Sequence, residues 1–224
     1  MKALLVNGSP RGEKATSQLL ANLLADGLRE RGAEAEQAWA LGALRNDEDT
    51  GALLRAWDDA DVVVVSFPLY VDSLPAPLTC VLELVAARRA SRGDTRSQRL
   101  AAVVQCGFPE AVHTDTAVTI CRLFARDAGM TWAGALAFGE GGMLGGGLDS
   151  IPPRAAARVR SAAAATAESL AAGGLVPEDA AAALREPMLP PWAYITVANA
   201  GWHMQKRQNK ADRQLGFRAY ATRA

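Results

Sequence analysis

The chain has 224 residues, with 24 basic and 24 acidic side chains and a formal net charge of zero. Half of it counts as hydrophobic, but 46 of those residues are alanine, so the core is thinner than that fraction implies. The composition excludes a disordered chain, a collagen-like repeat and a disulfide scaffold, and the neutral balance argues against a nucleic-acid binder.

Residues 3–6 are a short apolar run followed at once by turn residues, which predicts a buried strand. Residues 16–31 carry Leu19, Leu20, Leu23, Leu24 and Leu28 at helical spacing, ending near Gly32. A weaker strand is expected at 33–40 and a short helix at 50–60. Residues 61–67 contain Val62-Val63-Val64-Val65, and an unbroken β-branched run suits a strand buried on both faces. Residues 75–90 read as a helix with Leu78, Val81, Leu82 and Val85 on one side. A strand at 99–106, a helix at 115–128 and a strand at 131–138 follow. The glycine-rich stretch 139–147 then leads to an alanine-rich helix at 154–172. This alternation predicts an α/β fold with a parallel sheet covered on both faces by crossover helices.

Cys80, Cys106 and Cys121 leave an odd thiol and no CxxC spacing, which is the usage of a reducing cytoplasm and offers no metal site. The apolar start is broken by Asn7-Gly8-Ser9-Pro10-Arg11, too early for a signal peptide. No run approaches the roughly 18 apolar residues that span a bilayer.

The zero charge hides a split. Residues 201–224 hold six basic residues against Asp212, while residues 1–200 hold 18 basic and 23 acidic ones. From residue 176 the pattern changes. Pro177, Pro187, Pro190 and Pro191 punctuate it, a short helix is expected at 178–185, and Trp192, Tyr194, Ile195 and Trp202 precede a basic run from Lys206. Two domains are expected: a body over 1–175 and a helical, basic, aromatic extension over 176–224.

In a doubly wound sheet, ligands sit at the carboxyl ends of the strands, near the point where strand order reverses. The loop after the first strand, 7–17, brings Ser9, Arg11, Thr16 and Ser17 to a helix N-terminus, where an anion is favoured; an ordinary turn capped by Thr16 or Ser17 is the alternative. The loop lacks the Gly-Lys-Ser/Thr ending of a nucleoside triphosphatase and the GxGxxG of a dinucleotide fold.

The segment Gly8-Ser9-Pro10-Arg11 with Thr16-Ser17 resembles the phosphate loop of the NAD(P)H-dependent FMN reductase and quinone reductase family of flavodoxin-like flavoproteins. Pro68-Leu69-Tyr70-Val71-Asp72-Ser73-Leu74-Pro75-Ala76 resembles that family's second flavin loop. Cys106-Gly107-Phe108-Pro109-Glu110 is similar to its third. Ala15 stands where many members have asparagine, and Thr79 where a lysine often follows.

The resemblance covers residues 1 to about 175. It implies a five-stranded, flavodoxin-like parallel sheet in the order 2-1-3-4-5. It also implies FMN as cofactor and NADH or NADPH as hydride donor. Ser9, Arg11, Thr16, Ser17 and Gln18 would hold the phosphate. The ring would lie along Pro68, Leu69, Tyr70 and Val71, bordered by Cys106, Gly107 and Phe108. Hydride transfer would proceed through flavin N5 to a quinone, a flavin or a similar acceptor, with the chemistry on the cofactor and no side chain assigned as catalytic. An electron carrier and a flavin-binding sensor or scaffold are the alternatives. His113, after the third loop, is either near substrate or a surface histidine. The resemblance also implies a homodimer, and residues 190–224 would serve either a neighbouring subunit or a membrane surface.

Overall fold

The β-branched run is the central strand of a five-stranded sheet. The protein was analysed as a computed structural model that describes residues 1–92 and 97–210. The strands are β1 (Lys2–Asn7), β2 (Glu34–Trp39), β3 (Val62–Pro68), β4 (Arg99–Gln105) and β5 (Thr131–Phe138). They lie in the order 2-1-3-4-5, and every neighbouring pair is parallel, as the sequence leads one to expect. Strand order reverses between β1 and β3, which opens a crevice at their carboxyl ends.

The connecting helices are α1 (Thr16–Arg29), α2 (Ala40–Ala43), α3 (Asp47–Asp59), α4 (Ala76–Arg92), α5 (Asp115–Asp127), α6 (Pro153–Ala171) and α7 (Glu178–Arg185). Side chains alternate along each strand, so the sheet divides the core in two. Leu5, Val62, Val64 and Val103 pack with Leu24 and Leu28 of α1, Val159 and Leu170 of α6, and Leu184 of α7. Leu4, Val63, Val65 and Val104 pack with Trp57 of α3, Val81 of α4 and Cys121 of α5. All four valines at 62–65 are fully buried, two on each face.

The alanine content has a local use. Ala155, Ala156, Ala162, Ala163 and Ala167 of α6 are buried, and a Cβ on Gly27 of α1 would come within 2.9 Å of the Ala167 Cβ. Small residues let these two helices approach closely.

The first compact unit spans Met1–Met188, so the expected boundary at 175 falls inside it. Beyond α6 the chain returns to the sheet edge. The Val176 amide donates to the Ala133 carbonyl at 2.7 Å, and Ala180 and Leu184 of α7 are buried. Gly134, at φ 106°, admits this strap, because a Cβ there would lie 2.9 Å from the Val176 Cβ. The β5 edge is thereby covered rather than left open for pairing.

The glycine-rich stretch is also more ordered than its composition suggests. It forms 3-10 turns at Gly141–Gly146 and Leu148–Ser150, pinned by the buried side chains of Leu144 and Leu148.

The second unit begins at Leu189. Its helix α8 (Pro191–Gln208) buries none of its residues. Arg213, Arg218 and Arg223 of the basic run lie outside the described residues. Among the described residues, no helix is long and apolar enough to cross a membrane.

Candidate functional site

The loops after β1, β3 and β4 meet at the carboxyl edge, held in register by backbone bonds. The Gly8 amide donates to Ser66 O at 2.9 Å, Leu69 to Gln105 O at 2.9 Å, and Cys106 to Phe138 O at 3.1 Å.

The first loop is organised by Asn7, the last residue of β1, which is 1% exposed. Its Oδ1 accepts from the Ser9 amide at 2.9 Å and the Ser17 hydroxyl at 3.2 Å. Its Nδ2 donates to Gly12 O at 3.0 Å and Gln18 Oε1 at 2.8 Å. Trp39, at the end of β2, adds a tie by donating from Nε1 to Ser9 O at 2.7 Å. Sequence reasoning singled out neither residue. An asparagine ending a strand before Gly-Ser is an Asx-turn signal that marks Asn7. No local signal marks Trp39.

This network decides what each expected phosphate residue can offer. The Ser17 hydroxyl is spent on Asn7, which leaves its amide at the start of α1. Gln18 is occupied as well: it accepts from Asn7 and donates to Asn22 and Gln37. Ser9 Oγ accepts the Arg11 amide at 3.3 Å and keeps its own proton to donate. The Thr16 hydroxyl donates to Gly141 O at 3.2 Å and still carries lone pairs only.

The start of α1 is capped by Ala15, which supplies no side-chain bond. The Gln18 and Leu19 amides reach back to Ala15 O, so the Thr16 and Ser17 amides precede the first intrahelical bond. Arg11 is exposed beside them and makes no ion pair among the described residues. Bare amides, the positive end of a 14-residue helix and an unpaired guanidinium together suit a dianion. A cleft of about 270 Å³ lined by Lys14, Thr16, Asn22 and Leu144 opens alongside.

The second loop makes a tight turn. The Tyr70 amide donates to Ser73 O at 3.1 Å and Ser73 returns the bond at 3.2 Å. Both central residues are left-handed, Val71 at φ 50° and Asp72 at φ 58°. A β-branched residue there is a genuine outlier, and Val71 is 98% exposed, so no packing of its side chain explains it. Of the backbone expected to edge a ring, Pro68 has no N–H, while the Leu69 and Tyr70 amides are already bonded. Of those four residues, Val71 is the one whose amide is left to offer. Tyr70 is itself exposed.

In the third loop, Cys106 is buried and its thiol turns inward, 3.7 Å from Phe108 O and 3.6 Å from Glu110 O. Burial pushes the thiol up from its ordinary value, and the charges of Glu110 and Asp72 add to that. The Cys106 thiol is therefore held protonated and turned inward rather than offered as a thiolate. A Cβ on Gly107 would meet nothing within 4 Å, so nothing in the fold itself demands glycine there. Phe108 is 54% exposed, and its ring lies 4.4 Å from that of His113. His113 Nε2 is 3.8 Å from a Glu110 carboxylate oxygen.

Behind this loop stands Glu140, fully buried and left-handed at φ 57°. Its amide donates to Phe108 O at 2.7 Å, and its carboxylate accepts from the Met188 amide. Gly139 next to it packs so closely that a Cβ would lie 2.2 Å from Pro109 O.

The sheet order and the three loops at its carboxyl edge define a flavodoxin-like fold. A sequence profile of the NADPH-dependent FMN reductase family matches residues 1–130, and the chain belongs to that family, within the general class of FMN-dependent oxidoreductases. A comparison with curated proteins finds no match. Among solved structures, an NADH:FMN oxidoreductase in its apo form is 14% identical over 84% of this chain and 96% of that one, with a TM-score of 0.57. An FMN-dependent NADH-azoreductase from Bacillus anthracis in complex with FMN is 12% identical over 76% and 99%, with a TM-score of 0.51. Rubredoxin oxygen:oxidoreductase from Desulfovibrio gigas is 14% identical over 76% of this chain and 36% of its own, at a TM-score of 0.52. At these identities the likeness is one of fold.

The residues present fit FMN. An uncapped helix start with an unpaired arginine suits its phosphate. A Cβ on Gly107 would meet nothing, and Val71 and Phe108 are exposed on the loops beside it, so none of these side chains obstructs a flat ring.

Proposed function

We propose that this protein is an FMN-dependent oxidoreductase that takes hydride from NADH or NADPH and reduces a quinone, a flavin or a similar small acceptor. The observation that carries the reading is the pairing of the bare α1 start and Arg11 with the open space before Gly107, in a chain of the FMN reductase family. When bound, FMN supplies hydride acceptance and donation at its N5 atom.

The chain's own residues would bind and orient. Arg11, the Ser9 hydroxyl and the Thr16 and Ser17 amides would take the phosphate; Asn7 and Gln18 hold that loop in shape. The Val71 amide would donate to the ring edge from a left-handed backbone that carries some cost in strain. Gly107 would allow close approach, and Phe108 with His113 would wall the acceptor's side. Protons for a quinone are within reach of bulk water at this exposed rim, so no side-chain acid is required. Reaction in the cytoplasm, and assembly as a homodimer, belong to the same proposal.

The test is spectroscopic. Purified protein should be yellow or should bind added FMN, and anaerobic NADH or NADPH should bleach the bound flavin within catalytic times. A protein that binds no FMN overturns the cofactor. A yellow protein that neither nucleotide bleaches is a carrier or sensor instead.

A further inference from the structure

The three central strands each carry a polar residue at the carboxyl end on the side of α1. Asn7 of β1 and Ser66 of β3 are paired in register. Both use their side chains inside the fold: Asn7 makes its four bonds within the first loop and α1, and the Ser66 hydroxyl donates to Ser17 O at 2.8 Å. The third residue is Gln105, the last of β4, which pairs with Pro68, two positions beyond Ser66. Val103 packs in the core with α1 and α6, and residues two apart on a strand share a face. Gln105 therefore stands on that face one step further out, beyond the level at which Ser66 meets α1.

Gln105 is 8% exposed, yet among the described residues its side-chain amide makes no hydrogen bond. A buried carboxamide normally has partners, because without them it gives up its hydration and gains nothing in return. The fold makes room for this one. A Cβ on Gly141 would overlap the Gln105 carboxamide oxygen. The Gly141 carbonyl in turn accepts the hydroxyl of Thr16, the first residue of α1. On the other flank, the Gln105 carbonyl accepts the Leu69 amide of the second loop. The carboxamide thus lies between the start of α1 and the loop at 68–71.

Those are the two places proposed above for the phosphate and the ring. The part of FMN that joins them is the ribityl chain, whose hydroxyls both donate and accept. A carboxamide has a donor and an acceptor to match a hydroxyl, whereas a phosphate dianion only accepts. We propose that Gln105 is the ribityl contact of the site, hydrogen-bonding a hydroxyl of the cofactor's side chain, and that Gly141 is glycine because a Cβ would displace that carboxamide. The inference rests on the flavin reading of the site and assigns it a residue that touches neither phosphate nor ring. Bound cofactor then supplies the partner that the fold withholds.

Two changes test this together: Gln105→Met in the protein, and FMN analogues that lack one ribityl hydroxyl at a time. The analogues keep phosphate and ring, so both proteins can be titrated by flavin fluorescence. Wild type should bind one analogue about five- to tenfold more weakly than FMN. Q105M should bind FMN more weakly by a similar factor and lose nothing further with that analogue, because both changes remove the same bond. Gly141→Ala keeps the glutamine but displaces its oxygen, and should behave like Q105M. Without flavin, Q105M should melt at or above the wild-type temperature, since no internal bond is lost; a lower melting temperature would give the amide a structural role and overturn the proposal. So would Q105M that binds FMN as tightly as wild type, or losses from the two changes that simply multiply for every analogue. Wild type that binds no flavin at all overturns the function proposed above and this contact with it, whereas wild type that binds FMN with independent losses overturns the contact alone.

Discussion

Asn7 Nδ2 donates to Gln18 Oε1 at 2.8 Å, joining the last residue of β1 to the first turn of α1. With its three other bonds, this makes Asn7 the buried hub of the loop after β1. Asn7→Ala strands the buried Ser9 amide and Ser17 hydroxyl without their partners, at roughly 1–3 kcal/mol. Urea denaturation should show that loss, and FMN titration a weaker affinity. A variant as stable as wild type would mean water replaces the amide.

Arg11 is exposed and unpaired among the described residues, so removing it should cost the fold almost nothing. Arg11→Ala should weaken FMN binding by about tenfold, roughly 1.4 kcal/mol, with a shallower dependence of affinity on salt. Ser9→Ala should weaken it as well. Fluorescence quenching of FMN at several ionic strengths provides the measurement.

Gly107 faces open space, so Gly107→Leu should leave the melting temperature near that of wild type and reduce FMN affinity severely. Equal affinity in the two proteins would place the ring elsewhere.

Val71 holds a left-handed conformation that costs a side-chain-bearing residue about 1–2 kcal/mol. Asparagine tolerates it better, and nothing packs on the valine side chain. Val71→Asn should therefore raise the unfolding free energy by about 1 kcal/mol without loss of FMN binding, because the amide is retained.

Gly139→Ala acts in the opposite direction. Its Cβ would meet backbone at 2.2 Å from Pro109 O, so the third loop must shift. Overpacking of this kind costs about 1–3 kcal/mol, and thermal unfolding should show it.

Burial raises the Cys121 thiol from 9.0 to about 12 in the folded protein. The unfolded thiol loses its proton first as pH rises, so this stabilising contribution is complete below pH 9 and declines through the folded value near 12. Denaturation curves from pH 8 to 11 should show stability falling, and Cys121→Ala should flatten the fall. In native protein at pH 8, iodoacetamide should label exposed Cys80 ahead of buried Cys121.

Much of this molecule is written locally. The valine run at 62–65, the leucines of α1 and the turn residues after β1 each carry their signal within a few neighbours, so strands, helices and crossover order could be read directly. The short α2 carries no such signal, because four residues give no periodicity. The prolines from Pro177 onward suggest a boundary at 175, whereas Val176 bonds to β5 and Leu184 packs in the core with α6. The glycine-rich stretch 139–147 has no hydrophobic period of its own, and it is the burial of Leu144 and Leu148 in the fold that anchors it.

The sequence by itself determined the class of fold and the three loops that meet at the carboxyl edge of the sheet. Those follow from hydrophobic period and turn chemistry, which act over short stretches. Only the tertiary structure decided which groups remain available there. Ser17 and Gln18 are turned inward by Asn7, Trp39 reaches Ser9 from another strand, Thr16 bonds Gly141 across the site, and Glu140 braces Phe108. Such pairings depend on how distant segments come into register, and a hydrogen bond already made within the fold cannot also be offered to a ligand.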